Sequence, residues 1–498
     1  MDTTTPKPRK VPRVLILGGG TVGLYTARRL RKKLGRREAA IVVVDPRPYM
    51  TYYPFLPEVA AGSIDPRHVV APHRLALNGI DSLQGKISRI EHAERRAQIT
   101  PEEGEPYWVT YDHLVVGLGS IARTLPIPGL AEEGVGFKNV EEAIALRNHV
   151  LSRIDLAAST WDPDLRRRML TFVFVGGGFA GIEALAELED MARDAVRSYP
   201  TVSPEDLRFV LVEATPRILP EVSAELGGYT LDQLRKRNIE IHLSTFLESC
   251  VDKHVVLSDG SEFDCETIVW TAGVKPNPVL AATDLPLDQL GRVRCAATLQ
   301  VVEEDGTVVE GAWAAGDCAA VPDLVNPGQF CPPNAQHALR EAKVLGDNLA
   351  AHLRSAPPTQ YRHKNVGTVA SLGMHQGVAQ MLGRFKVRGL LAWVLHRTYH
   401  LYAMPTLNRK FRIASGWTAT LLFRREVVAL GTLHDPRAEF RAAAVPPAPR
   451  PDTPPADHVA DVQLAAEAAD EAADEAADER ADAAGTARGS RADGAGAG

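Results

Sequence analysis

Several things are missing from this sequence of 498 residues. Nowhere do 18 apolar residues run together, so no segment can cross a bilayer as a helix. The start, MDTTTPKPRK, has no apolar run behind its charges that a signal peptidase would recognise, so the protein is expected to be cytoplasmic or attached to a membrane from that side. Cysteine is scarce: Cys250, Cys265, Cys295, Cys318 and Cys331 are odd in number, scattered and never spaced as CxxC, which argues against a disulfide framework or a metal knuckle. They read as reduced packing residues. His396 and His400 are spaced i,i+4, but no glutamate lies between them and no third ligand is near in sequence, so no metal is expected. Acid is absent from residues 384–425, which hold nine Lys and Arg. From Pro451 onward almost no large apolar residue occurs, and twelve Asp and Glu face three arginines. That Pro-rich and Ala/acidic stretch, residues 440–498, is expected to be disordered, at most a fraying helix.

What is present is enough for several domains, since 45% apolar residues over this length can bury a sizeable core. The stretch RVLILGGGTVGLYTARRL is a buried-strand run, a turn with Gly18, Gly20 and Gly23 in GxGxxG spacing, and a helix start. Glycine there permits a tight turn and close approach of backbone N–H groups to a pyrophosphate, and the helix N-terminus favours its charge. The following strand, AIVVVD, ends in Asp45, where the fingerprint wants an acid for the ribose hydroxyls. The pattern repeats in TFVFVGGGFAGIEALAEL, with Gly176, Gly178 and Gly181, followed by a strand ending in Glu213. Two such units imply two nucleotides. An acid at both strand ends favours unphosphorylated ribose, hence FAD and NADH more than NADPH.

The order of GxGxxG, YDHLVVGLGS, second GxGxxG, IVWTAGV and AAGDCAA resembles the two-dinucleotide-domain flavoproteins. That resemblance implies an α/β fold with two Rossmann-like domains, noncovalent FAD at the first turn and NADH at the second. It also places Gly119, Gly316 and Asp317 against the FAD. The family's usual Ala-Thr-Gly reads Gly117-Leu118-Gly119 here, so the backbone contact is kept and the threonine is not. Disulfide reductases of this family carry a CxxxxC pair soon after the first acid; the region here, DPRPYMTYYPFLPEVAAGSIDP, has no cysteine. YYPFLPEVAAGSIDP and PPNAQHALREA are similar to the type II NADH dehydrogenases, or NADH:quinone oxidoreductases, over residues 12–435.

The resemblance implies an FAD domain at 12–140 and 290–383, an NADH domain at 141–289, and a membrane-associating region at 384–435, with residues 1–11 flexible. It implies NADH oxidation with two-electron transfer to a membrane quinone, menaquinone or ubiquinone, without proton pumping, by a peripheral protein on an anionic membrane surface. A homodimer is possible in such a family, and no nucleic-acid partner is expected. Glu183 matches a glutamate near flavin and nicotinamide; its alternative reading is a first-turn helix acid favoured by the dipole. Gln336 matches a glutamine near the quinone. Where the family has a second glutamine, one turn on, this chain has Arg340. Arg340 should share a face with Gln336 and donate to a quinone, serve another acceptor, or pair with a nearby acid. Two other functions stay open: a sulfide:quinone-type reaction using Cys318 and Cys331, and a non-enzymatic redox sensor acting through the acidic tail. In residues 384–425, leucines and aromatics alternate with Arg and Lys as expected of a helix lying in a membrane interface, a core pair or dimer face being the alternative.

Overall fold

The computed structural model describes residues 11–364, 367–423 and 425–429. The expected flexible segment 1–11 falls almost wholly outside the described residues, and the acidic tail 440–498 entirely so. The chain opens with β1 (Arg13–Leu17), α1 (Thr21–Lys33), β2 (Ala40–Asp45), a short α2 (Leu56–Ala60), β3 (Asp81–Gln84) and β4 (His113–Val116). A second unit follows: β5 (Gly134–Gly136), α3 (Val140–Ser159), β6 (Thr171–Val175), α4 (Phe179–Val196), β7 (Arg208–Glu213), β8 (Glu240–Leu243) and β9 (Thr267–Trp270). The chain then returns through β10 (Gln300–Val302), β11 (Val308–Ala314) and α5 (Ala335–His352). It closes with β12 (Gly367–Ser371), β13 (Gly377–Met381), β14 (Phe385–Arg388), α6 (Gly389–Ala403) and α7 (Leu407–Phe423).

The first sheet has the order β10-β11-β4-β1-β2-β3, parallel except at β10, and the second has β5-β9-β6-β7-β8, parallel throughout. Strands covered by helices on both faces need apolar residues at successive positions, and Val14–Leu17 and Phe172–Phe174 are fully buried. In each sheet the order of connection reverses beside the glycine turn, β2 and β4 flanking β1 and β7 and β9 flanking β6, which leaves a crevice at the carboxyl ends of the strands.

Two expected boundaries move. Gly134–Gly136 pairs with Thr267–Trp270 and so belongs to the second sheet, ahead of residue 141. Phe385–Arg388 is the third strand of the small antiparallel sheet β12-β13-β14, so the sheet runs through residue 384. Its alternating Phe385, Lys386, Val387, Arg388 is a strand period, which a reading for basic residues alone passes over. Among the described residues no helix is long and apolar enough to cross a membrane.

Candidate active site

A cavity of about 460 Å³ opens at the carboxyl ends of β1 and β2, and Gly18, Gly20, Asp45, Gly119 and Asp317 all line it. Gly18 has φ +96°, and a Cβ on it would stand 2.3 Å from the Gly117 carbonyl oxygen. A Cβ on Gly23 would lie 1.7 Å from the Gly18 carbonyl, so α1 can start only this close to β1 without a side chain there. Gly20 is different: it caps α1 with no side-chain hydrogen bond, and the space beside it is empty to 4 Å. The first amides of α1 therefore face the cavity uncapped, with no acid in the first turn, as a pyrophosphate requires.

Asp45 is anchored on both oxygens, accepting from the Gly19 amide at 2.6 Å and the Arg47 amide at 2.8 Å. Burial pushes its carboxyl up, against the pull of those amides. Asp317 accepts from the Ser120 hydroxyl at 2.6 Å and lies 3.7 Å from Lys138 Nζ. Gly316, at φ +76°, donates its amide to Glu341 at 2.7 Å. These features fit FAD: a bare helix start for the pyrophosphate, and held carboxylates on either side for ribose and ribityl hydroxyls.

The second turn repeats the first. Gly178 caps α4 without a side-chain bond and with empty space beside it, and a Cβ on Gly181 would meet the Gly176 carbonyl at 1.9 Å. Glu213 accepts from the Gly177 amide at 2.5 Å and the Thr215 amide at 2.7 Å, the same two-amide anchorage as Asp45. The first turn of α4 likewise contains no acid.

Glu183, one turn further along α4, is buried and does more than complement a helix dipole. One oxygen accepts from the Ser371 amide at 2.8 Å and lies 3.1 Å from His396 Nε2. Burial opposes charge on His396, yet Glu183, with Glu58 and Glu187 behind it, raises its pKa above the ordinary imidazole value. Glu187, on the same face of α4, pairs with Arg425 at 3.3 Å, and Glu58 of α2 pairs with Arg397 at 3.1 Å and accepts from Trp417 Nε1 at 2.6 Å. The acids and cations of these three pairs are all buried. His400, one turn beyond His396, shares a hydrogen bond with the Tyr52 hydroxyl at 3.0 Å, and burial followed by the charge of His396 keeps it well below the ordinary value.

A family model described as pyridine nucleotide-disulphide oxidoreductase matches residues 12–342, which takes in both glycine turns and Asp317. The chain belongs to that family. Among curated relatives, the type II NADH:quinone oxidoreductase Ndh of Mycobacterium tuberculosis is 28% identical over 84% of this chain and 90% of its own length. A type II NADH:quinone oxidoreductase of Haemophilus influenzae is 27% identical over 75% of this chain and 87% of its own. The fold is shared with NDH2 from Plasmodium falciparum, solved with NADH: the TM-score is 0.77 at 16% identity, covering 84% of this chain and all of that one.

The family's description names a disulphide, but the five cysteines here are all free and buried. The Cys318 thiol is pushed up to about 12 by burial, and its sulfur is directed at the Val116 and Ala315 carbonyls, so it is a poor nucleophile. Cys331, His337 and Glu341 each bring a donor atom within 4.8 Å of the others, a grouping that the cysteine spacing does not reveal. His337 and Glu341 already have protein partners there: the Tyr361 hydroxyl at 2.9 Å and the Gly316 amide.

The α5 face differs from expectation. Both ends of the Gln336 amide are occupied, Nε2 donating to the Gly367 carbonyl at 2.9 Å and Oε1 facing His363 Nε2 at 2.9 Å. Arg340 donates to the Gln336 carbonyl at 2.9 Å, so the two are neighbours as expected, but Arg340 lines an outer groove with Tyr399 and Tyr402 and does not line the FAD cavity. It also has no carboxylate partner among the described residues. The i,i+4 spacing places it beside Gln336; the packing of α1 on α5 decides which way it leaves. The residues missed from sequence are Glu58, Glu187, His396, Arg397 and Arg425. The available signal was a second glutamate four residues after Glu183 within the apolar stretch 182–188, together with the histidine pair His396 and His400.

Proposed function

We propose that this protein oxidises NADH at one glycine turn through FAD at the other and reduces a membrane quinone, in the net reaction NADH + H⁺ + quinone → NAD⁺ + quinol. The carrying observation is the pair of uncapped helix starts, each beside a strand-end carboxylate anchored on two amides, in a chain whose curated relatives bear the name type II NADH:quinone oxidoreductase. When bound, FAD supplies the hydride acceptor. The first unit and its return (β1–β4 with β10, β11 and α5) form the FAD domain, and β5–β9 the NADH domain. Asp45 and Asp317 orient FAD, while Glu213 takes the ribose of NADH and disfavours a 2′-phosphate.

Glu183, on the helix that starts at the NADH turn, and His396 of α6 form a buried acid–imidazole pair suited to hold the proton that the net reaction consumes. Gln336 acts through its bonds to Gly367 and His363 as a positioning residue. Leu390, Leu391, Tyr402, Leu407, Phe411 and Phe423 are exposed on α6 and α7, an apolar surface that supports peripheral attachment to the cytoplasmic side of a membrane. The test is anaerobic: reduce the yellow protein with NADH, then add menaquinone or ubiquinone analogues. Reoxidation of the flavin at turnover rate is expected; flavin that stays reduced with every quinone overturns the reading.

A further inference from the structure

A second cavity, of about 720 Å³, lies outside the active site between α1, α5 and the junction of α6 with α7. Five cations line it without an ion pair among the described residues: Arg28 and Lys32 from α1, Arg340 and Lys343 from α5, and Lys410 from α7. A sixth, Arg29, is held by Asp347 at 2.7 Å. Three of the five are oriented by backbone carbonyls, which fix a guanidinium or ammonium without cancelling its charge: Arg28 on Pro405 at 3.1 Å, Arg340 on Gln336 at 2.9 Å and Lys410 on Tyr402 at 2.6 Å. Tyr25 and Tyr399 form apolar wall, and Tyr25 donates to the Ala403 carbonyl at 3.1 Å.

The basic run 384–425 has a different fate. Arg397 is paired with Glu58 and Arg425 with Glu187, both out of solvent, and Lys386 and Arg388 share Glu225 at the surface. Four of the run's nine cations are thus answered by acids within the fold, while Arg384, Arg409, Lys410 and Arg412 have no ion pair among the described residues. The groove gathers five such cations around one cavity, and four of the five come from α1 and α5. The groove also opens beside strongly exposed apolar residues of the C-terminal helices: Tyr402 on its wall is 80% exposed, and Leu407 and Phe411, flanking Lys410, are 82% and 76% exposed. A surface that receives those side chains meets the groove at the same time.

We propose that this groove is the site of an anionic phospholipid headgroup, and that the electrostatic part of membrane attachment comes from α1 and α5 and not from the basic C-terminal run. This rests on the membrane reading above. The chemistry is that of a phosphodiester: Arg28 and Arg340 offer forked donors, Lys32, Lys343 and Lys410 offer point charges, and the tyrosines border the glycerol and first methylenes. Soluble phosphate presents the same oxygens but gains nothing from the apolar rim, which favours the lipid.

The test is flotation of the full-length FAD-loaded protein with vesicles of phosphatidylcholine alone or mixed with phosphatidylglycerol. Lys32→Glu with Lys343→Glu should lower the phosphatidylglycerol-dependent gain in binding at least tenfold, leaving binding to phosphatidylcholine and flavin reduction by NADH unchanged. Arg384→Glu with Arg412→Glu removes equal charge from the C-terminal run and should change the gain less than threefold. Leu407→Ser with Phe411→Ser should weaken binding to both vesicles; if it does not, the membrane reading itself fails, whatever the charge variants do. The groove proposal is overturned if the α1/α5 pair binds phosphatidylglycerol as wild type does, or if the C-terminal pair loses as much. It is also overturned if free glycerophosphate competes away the gain, which would assign the groove to a soluble phosphate.

Discussion

Glu341 sits behind the FAD cavity, buried, accepting the Gly316 amide, with its carboxyl pushed up to about 7 by burial. A carboxyl whose folded pKa lies above its unfolded value favours folding below the unfolded value, and that contribution is lost as pH rises through the folded one. The stability of the protein should therefore fall by up to ~3 kcal/mol between pH 5 and pH 8 through this group alone. Glu341→Gln keeps the acceptor for Gly316 and should flatten that dependence, read as thermal midpoints at saturating FAD; parallel slopes in the two proteins would show that Glu341 is not the titrating group. Glu213 gives a second case. Its two amide bonds are made to the carboxylate, so Glu213→Gln sets an NH₂ against an N–H at one of them. The KM for NADH should rise about tenfold, ~1.4 kcal/mol, with NADPH less affected, and equal KM changes for both cofactors would remove Glu213 from selection. Asp45 and Glu213 were legible in the sequence because a ribose diol wants an acid at the end of the strand that follows a glycine turn and its helix. Arg340 was legible only in part: spacing gives its neighbour on α5, but not that α1 packs alongside and turns it outward.

At the scale of elements, α6 and α7 are docked by buried charge. Arg397 stacks over Trp393 with 4.0 Å between guanidinium carbon and ring centroid, lies 4.8 Å from the Trp417 ring, and reaches Glu58. Removing one partner of such a pair leaves the other buried and unanswered, so Arg397→Met should cost about 3–5 kcal/mol. The double change Glu58→Gln with Arg397→Met should recover more than half of that, measured by denaturant unfolding; additive losses would mean that the two side chains do not interact. Glu183→Gln breaks the link to His396 without emptying the site. Flavin reduction by NADH, or its reoxidation by quinone, should slow at least tenfold in stopped flow with the unfolding midpoint nearly unchanged, whereas wild-type rates in both half-reactions would leave Glu183 as a packing acid. None of this docking could be read locally. The partners in each pair come from distant parts of the chain, and Arg397 stands in the same helical pattern as the solvent-facing arginines expected of an interfacial helix. The run 384–425 was legible as apolar and basic; which cations face inward depended on acids contributed by two other helices.

For the whole molecule, α2 from the first unit and α4 from the second both contact the C-terminal helices, so the last described part of the chain completes what the earlier parts begin. A chain ending at Gly383 is then expected to lose FAD and aggregate, not merely to detach from membranes; a soluble, yellow, NADH-reducible product would count against this. Time enters here as well. Arg425 follows Glu187 by 238 residues, and at the usual 5–20 residues per second of synthesis that separation is roughly 10–50 s. Throughout that interval Glu187 lacks its ion-pair partner, so the face of α4 that carries it stays hydrated. The nascent protein cannot close its centre early. It waits on its own C-terminus, and codon changes that slow translation between residues 190 and 425 should prolong exposure of that face to chaperones without altering the finished enzyme.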